Sequence, residues 1–374
     1  MTAAGRAPPT GSLQSDTRSP LRAGERLAVA VLGATGAVGQ TFVRLLDGHP
    51  WFRLAEVAAS ERSAGRTYAD ATRWIEGVLP ADTAALDVLP CDPSVIRSPI
   101  VFSALDAAAA ATIEPAFARA GAFVFSNAKH FRMDPDVPLV IAEVNPSHLD
   151  VLDAQRRNRG WRGGVVTNAN CAAIAAAVPL AALHEAFGVR QVFVFTMQAV
   201  SGAGYPGVPS LDILGNVIPY IGEEDAKIER ELPKILGRLG DGVIEAANVG
   251  VSAAANRVAV EHGHTVCLSV GLEQRASADA CRQVLEEWTG DPCARGLPSS
   301  PDRPIEVMTR PDRPQPRRDV NTGRGMVTLV GRVRQDPLLD VKLVALSHNT
   351  IRGAAGASLL NAELMAARGA FDHP

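Results

Sequence analysis

The sequence predicts an α/β protein of two layered domains, a parallel sheet with helices on both faces followed by an α+β domain with a mainly antiparallel sheet. Three observations carry that expectation. Short apolar runs alternate with helical stretches from Leu27 to Ile141, the pattern of βαβ units. Beyond Asn170 the runs lengthen and alternate with period two, as over residues 191–197 and 265–272, which suits an antiparallel sheet open on one side. The 374 residues are 47% hydrophobic, 21% charged and 5% aromatic, which supplies two cores at roughly 100–200 residues per domain and disfavours a β-sandwich.

The first 25 residues carry Pro, Ser, Gly and Arg without the apolar stretch of a secretory leader, and read as a disordered tail. The first domain, residues 26–170, starts with a strand over 27–32, a glycine-rich turn and a helix over about 37–46. Strands at 54–59 and 99–102, an Ala-rich helix over about 106–120 and strands at 122–125 and 138–141 follow. The second domain, residues 171–348, opens with a helix over 171–187. Its strands are expected at 191–197, 258–260, 265–272, 326–333 and 339–346. Between them, GEEDAKIERELPKILG (222–237) reads as a solvated helix, broken or kinked at Pro233, and the Pro- and Arg-rich stretch 299–319 reads as extended. A final helix over 351–367, within residues 349–374, is expected to complete the first domain.

Composition excludes several function classes. A net charge of −3, with Lys and Arg interspersed among Asp and Glu, offers no basic field for nucleic acid. No apolar run approaches the roughly 20 residues of a membrane span, so no membrane partner is expected. The five cysteines have no CxxC and no zinc-ligand spacing to a histidine, which predicts no metal site and a reducing, cytoplasmic compartment.

The chemistry begins where the first strand meets the first helix, at Gly33-Ala34-Thr35-Gly36-Ala37-Val38-Gly39. Glycines let the backbone approach a pyrophosphate, and the free N–H groups and dipole of the helix start stabilise it, so this is a Rossmann-type dinucleotide turn. After the second strand, Ser60, Arg62 and Ser63 offer hydrogen bonds and positive charge to a 2′-phosphate, favouring NADP, while Glu61 keeps NAD open. Cys171 follows Thr167-Asn168-Ala169-Asn170 at a helix start, a placement that favours a thiolate; read alone it is equally a small apolar core cysteine, the reading given to Cys267 and Cys281. Gln198 ends a long strand before a glycine-rich turn (199–207). Arg257, His262 and His264 then surround a turn, offering a carboxylate clamp and an acid/base beside a thiolate, with spacing unable to choose between the two histidines.

With these segments in this order, the chain resembles aspartate-semialdehyde dehydrogenases of the archaeal and fungal type over nearly everything from residue 27 to about 367. The most specific stretches are MQAVSGAGYPG (197–207), NAKHFRMDPD (127–136), EVNP (143–146) and SHNTIRGAAG (347–356). The resemblance implies NADPH-dependent reductive dephosphorylation of L-aspartyl-4-phosphate to L-aspartate 4-semialdehyde and phosphate, a step toward lysine, threonine, methionine and isoleucine. It makes Cys171 the nucleophile of a thioester, Gln198 the residue orienting the acyl group, and His264, chosen over His262 by resemblance alone, the acid/base. It assigns Arg257 to the α-carboxylate, Glu224 and Lys227 to the ammonium and phosphate, with Glu223 competing for the role of Glu224, and Arg132 with Asn127 to phosphate. Gly202 and Asn349 fall on the cofactor side, Asn349 beside the nicotinamide. A homodimer through the second sheet, or a dimer of dimers, is implied as well.

The chain departs from the family pattern at Ala172 and Ala173 after the cysteine, at Ala142 before Glu143, and at Ala259. A related reductase of another acyl phosphate or of a malonyl-coenzyme A-type thioester is the alternative enzyme reading. A non-catalytic NADP-binding sensor is the alternative from another class.

Overall fold

The structure is a computed structural model that describes residues 25–371; the tail expected over 1–25 lies outside the described residues except for Glu25, as do residues 372–374. The first sheet holds β1 (Leu27–Leu32), β2 (Phe52–Ala59), β3 (Val88–Pro90), β4 (Ile100–Ser103), β5 (Phe123–Ser126), β6 (Leu139–Val140) and β7 (Gly164–Asn168). Their order is β3-β2-β1-β4-β5-β7-β6 and every pairing is parallel. The crossovers carry α1 (Ala37–Leu46), the single turns α2 (Tyr68–Ala71) and α3 (Ala81–Ala84), α4 (Ala107–Ala120) and α5 (Leu152–Arg159). One face of the sheet buries Phe42, Phe52, Phe102 and Phe125, and the other buries Val101, Phe117, Val124 and Trp161. The strand order reverses between β1 and β4, where open parallel sheets bind ligands.

The second sheet is mixed, which corrects the mainly antiparallel expectation. It holds β8 (Val189–Gln198), β11 (Gly250–Arg257), β12 (His264–Leu272), β13 (Ile305–Met308), β14 (Thr328–Gln335) and β15 (Val341–Ser347), in the order β11-β8-β12-β15-β14-β13, while β9 (Arg238–Leu239) and β10 (Ile244–Glu245) form a separate ribbon. Three pairings are antiparallel, but β11 runs parallel to β8 and β13 parallel to β14. The strand expected at 258–260 is instead a connecting loop; the strand precedes it, in the run GVSAAANR. That run is rich in Ala, a poor strand former by itself, and is held extended by its ladder to β8.

Helix α6 (Cys171–Phe187) is apolar on all sides and buries every residue from Ala172 to Leu183 between the sheet and its neighbours. The helix expected to be solvated is α8 (Glu224–Ile235), following the single turn α7 (Ser210–Ile213); it continues through Pro233 and buries Ile228, Glu231, Leu232, Lys234 and Ile235. After α9 (Ala278–Glu287), the extended stretch contains β13 and one helical turn, α10 (Pro316–Asp319). The chain closes with a π-turn over Ile351–Ala355 and α11 (Gly356–Ala367), whose Leu359, Leu360, Leu364 and Met365 pack into the core of the first domain.

Candidate active site

Three glycines shape the β1–α1 turn for different reasons. Gly33 has φ +70° and a Cβ there would meet the Ala104 carbonyl oxygen at 2.6 Å. A Cβ on Gly39 would stand 2.2 Å from the Gly33 oxygen, so only glycine lets α1 pack this close to the turn. Gly36 is exposed and caps α1 without any side-chain hydrogen bond, leaving the first N–H groups of the helix open to an anion, with Thr35, Ala37 and Val38 beside it. Ser60, Arg62 and Ser63 occupy the turn after β2, at the same end of the sheet. A cavity of about 340 Å³ extends from Ala37 and Thr41 to Ser201, Tyr205, His262 and Thr350, bridging this turn to the loop after β8.

Cys171 is the first residue of α6. Asn170 caps the helix, its Oδ1 accepting the N–H groups of Ala172 at 3.0 Å and Ala173 at 3.1 Å. The Cys171 Sγ lies 3.1 Å from His264 Nε2, and the Ala199 N–H donates to His264 Nδ1 at 3.1 Å. Because Nδ1 accepts that bond, the proton of the neutral ring sits on Nε2 and points at the sulfur. Burial, and next the charge of Arg257, push the His264 pKa down to about 3, which keeps the ring neutral. His262 faces elsewhere, stacked on His348 at 5.0 Å.

Burial pushes the Cys171 thiol up to about 12, with the charge of Glu224 adding to the rise while Arg132 and Arg257 oppose it. Glu224 is buried at the start of α8 and receives Lys227 Nζ at 2.6 Å, Asn170 Nδ2 at 2.9 Å and Gln198 Nε2 at 3.3 Å. Burial alone would raise its pKa, but these hydrogen bonds and the Lys227 charge bring it below the ordinary carboxylate value. Glu223 is exposed at φ +60° and pairs with Lys129, so α8 turns Glu224 and not Glu223 toward the thiol.

Arg257 ends β11, and its Nη1 donates to the Ala199 oxygen at 2.8 Å. Gly202 fits beneath it: a Cβ there would meet Arg257 Nη1 at 2.9 Å and His264 Cε1 at 3.2 Å. Arg132 is buried, with Nη1 on Glu231 and Nη2 on the Asn127 oxygen, and its Nε has no partner among the described residues. The Asn127 side chain is tied to Ser103, Asn168 and Ser358, and Asn349 bonds Ser201 Oγ at 2.8 Å and the Gly263 N–H at 2.9 Å. Cys171, Gln198, Glu224, Lys227, Arg132, Arg257 and His264 thus converge from both domains. Asn170, Glu231 and Gly353 belong to this constellation and were not singled out from the sequence; for Glu231 the signal was its helical spacing from Glu224 and Lys227 on the face that also carries Ile228.

A nucleotide-type turn at the switch point of a parallel sheet, a cleft from that turn to the loop after β8, and a thiol–imidazole pair at the start of α6 define the class of dinucleotide-binding enzymes with a cysteine centre. The model of the semialdehyde dehydrogenase NAD-binding domain matches residues 28–152, and that of the semialdehyde dehydrogenase dimerisation domain matches residues 180–352. Aspartate-semialdehyde dehydrogenase of Methanothermobacter thermautotrophicus is 47% identical over 341 residues, spanning 90% of this chain and 98% of that protein. The protein of the same name from Schizosaccharomyces pombe is 47% identical over 350 residues, spanning 91% and 98%. The crystal structure of aspartate-semialdehyde dehydrogenase with NADP from Candida albicans superposes with a TM-score of 0.85 at 41% identity, covering 92% of this chain and all of that one. The chain belongs to the aspartate-semialdehyde dehydrogenase family.

Proposed function

We propose that the protein catalyses NADPH-dependent reductive dephosphorylation of L-aspartyl-4-phosphate to L-aspartate 4-semialdehyde and phosphate, with Cys171 forming a thioester. The observation that carries this is the 3.1 Å pair of Cys171 Sγ and His264 Nε2 inside a ring of one carboxylate and three cations. The family relationship supports the substrate.

In this reading Arg257 receives the α-carboxylate and Glu224 the ammonium of the substrate. An ammonium on Glu224 offsets the negative charge that raises the Cys171 pKa, so binding favours the thiolate. Arg132, with its unpartnered Nε, and Lys227 hold the phosphoryl group. The thiolate attacks the acyl carbon, the C–O bond to phosphate breaks, and the thioester forms. The uncapped start of α1, with Gly33, Thr35, Gly36, Ala37, Val38 and Gly39, fits a pyrophosphate, Ser60, Arg62 and Ser63 fit a 2′-phosphate, and Gly202 and Asn349 lie on the nicotinamide side. NADPH, when bound, supplies a hydride to the acyl carbon.

The resulting oxyanion collapses to the aldehyde by expelling the Cys171 thiolate, so the hydride-transfer half-reaction needs no proton from His264; in acylation the departing phosphate takes up one proton to leave as hydrogen phosphate, which balances the proton that the Cys171 thiol gives up. The Nε2–H instead donates hydrogen bonds to the thiolate and to the oxyanion, with Gln198 orienting the acyl group. Acting as a proton acceptor would require His264 to give up the bond from Ala199.

The open face of the second sheet, where Phe193 and Phe195 are 44% and 38% exposed, supports a homodimer through that face, with a dimer of dimers as a further step. Five free cysteines support a cytoplasmic setting, and among the described residues no helix is long and apolar enough to cross a membrane. The test is NADPH formation from L-aspartate 4-semialdehyde and NADP with and without inorganic phosphate, beside an acyl-coenzyme A panel. Steady turnover only with phosphate is the expected result. Turnover with coenzyme A in place of phosphate would reject the acyl-phosphate assignment.

A further inference from the structure

Glu231 links two parts of the site that the proposed chemistry treats separately. It is buried on α8, about one turn beyond Lys227. Its Oε1 accepts Arg132 Nη1 at 2.9 Å, and its Oε2 accepts the Asn170 backbone N–H at 2.6 Å. Arg132 is the anion-holding guanidinium of the first domain, and Asn170 immediately precedes the nucleophile and caps its helix. Nearby on the same helix, Lys234 Nζ donates to the carbonyl oxygens of Arg132, Asp134 and Val137 at 2.7, 2.6 and 2.8 Å, so α8 also fixes the backbone of the loop that carries Arg132.

We propose that Glu231 is a positioning residue whose single carboxylate sets the Arg132 guanidinium in register with the Cys171 backbone, so that an oxyanion bound by Arg132 lies against the thiol. The inference rests on the proposed role of Arg132 as phosphate holder. A carboxylate is required because both atoms facing its oxygens are donors. The isosteric amide of Glu231→Gln has one acceptor oxygen; whichever donor it serves, its NH₂ group then opposes the other. Arg132 has a buried Nε without a partner among the described residues, and its aim depends on the two groups that hold its other nitrogens, Glu231 and the Asn127 carbonyl.

The test follows iodoacetamide labelling of Cys171, read by peptide mass at pH 9 against rising inorganic phosphate, in wild type, Glu231→Gln, Glu231→Asp, Arg132→Ala and the double variant Arg132→Ala/Glu231→Gln. Phosphate is expected to slow labelling of wild type, and Glu231→Gln to require about tenfold more phosphate for the same protection, the effect of losing one charge-assisted hydrogen bond. Glu231→Asp, which keeps two acceptor oxygens, is expected to recover part of the protection. NADP affinity and cooperative melting should be retained in both Glu231 variants. In the Arg132→Ala background Glu231→Gln should add nothing to the phosphate dependence, because the group it positions is gone. Equal protection of wild type and Glu231→Gln, or an additive effect in the double variant, would overturn the proposal. Absence of phosphate protection in wild type would instead refute the phosphate site itself.

Discussion

Gly353 has no room for a side chain because Cys171 occupies it: a Cβ built on Gly353 would lie 2.6 Å from the Cys171 Cβ and 3.0 Å from its Cα. The π-turn that carries Gly353 is held by the fully buried ion pair of Arg352 with Glu143, which spans from the last segment to the first domain. Packing at the nucleophile is therefore set by a segment almost two hundred residues away in sequence.

Gly353→Ala should push Cys171 or the π-turn out of place. Overpacking of this kind costs about 1–3 kcal/mol. The expected outcome is a lowered melting temperature together with a fall in kcat larger than the change in KM, read by thermal unfolding and steady-state kinetics.

The reactivity of Cys171 should depend on pH in a defined direction. A thiol raised to about 12 is protonated at neutral pH, and below its pKa the thiolate fraction grows about tenfold per pH unit. Alkylation of Cys171 in the ligand-free protein should rise from pH 7 to pH 10 without a plateau. Glu224→Gln removes a negative charge that raises this pKa, so the variant should label faster at fixed pH while binding substrate more weakly. A plateau below pH 9 in wild type, or slower labelling of the variant, would contradict the electrostatics described.

Gly39→Ala tests the dinucleotide turn. The added methyl meets backbone atoms of Gly33 and Ala34 within 2.9 Å, with no flexible neighbour to yield. Loss of NADP binding by fluorescence titration is expected, with destabilisation of about 1–3 kcal/mol.

The open sheet face predicts assembly. Phe193→Glu with Phe195→Glu should shift the protein to a smaller species in sedimentation, because two carboxylates would be buried in an apolar contact. An unchanged sedimentation coefficient would place the contact elsewhere.

Much of the first domain was legible because its signals are local. The strand at Leu27–Leu32 and the helix at Ala37–Leu46 fall where apolar runs and glycines indicate. β7 was not anticipated, since Gly164–Asn168 is buried on both faces and offers only two β-branched apolar residues and no alternation. β11 was misplaced for a related reason: its Ala and Ser take strand geometry from pairing with β8. The segments of the site could be identified from sequence, but not their network. Glu231 and Lys234 looked like solvated charges until packing of Ile228, Leu232 and Ile235 turned their face inward. The tautomer of His264 follows from a backbone donor 65 residues away, which no spacing pattern records.

The central claim is that Cys171 carries the acyl group as a thioester, and a rapid-mixing experiment tests it most directly. The protein is mixed with L-aspartate 4-semialdehyde and NADP without phosphate, and NADPH absorbance is followed before phosphate is added. The account predicts a burst stoichiometric with subunits, then a halt until phosphate releases the acyl group, and no burst in Cys171→Ala. Steady NADPH formation that needs phosphate from the first turnover, or a burst that survives in Cys171→Ala, would contradict it.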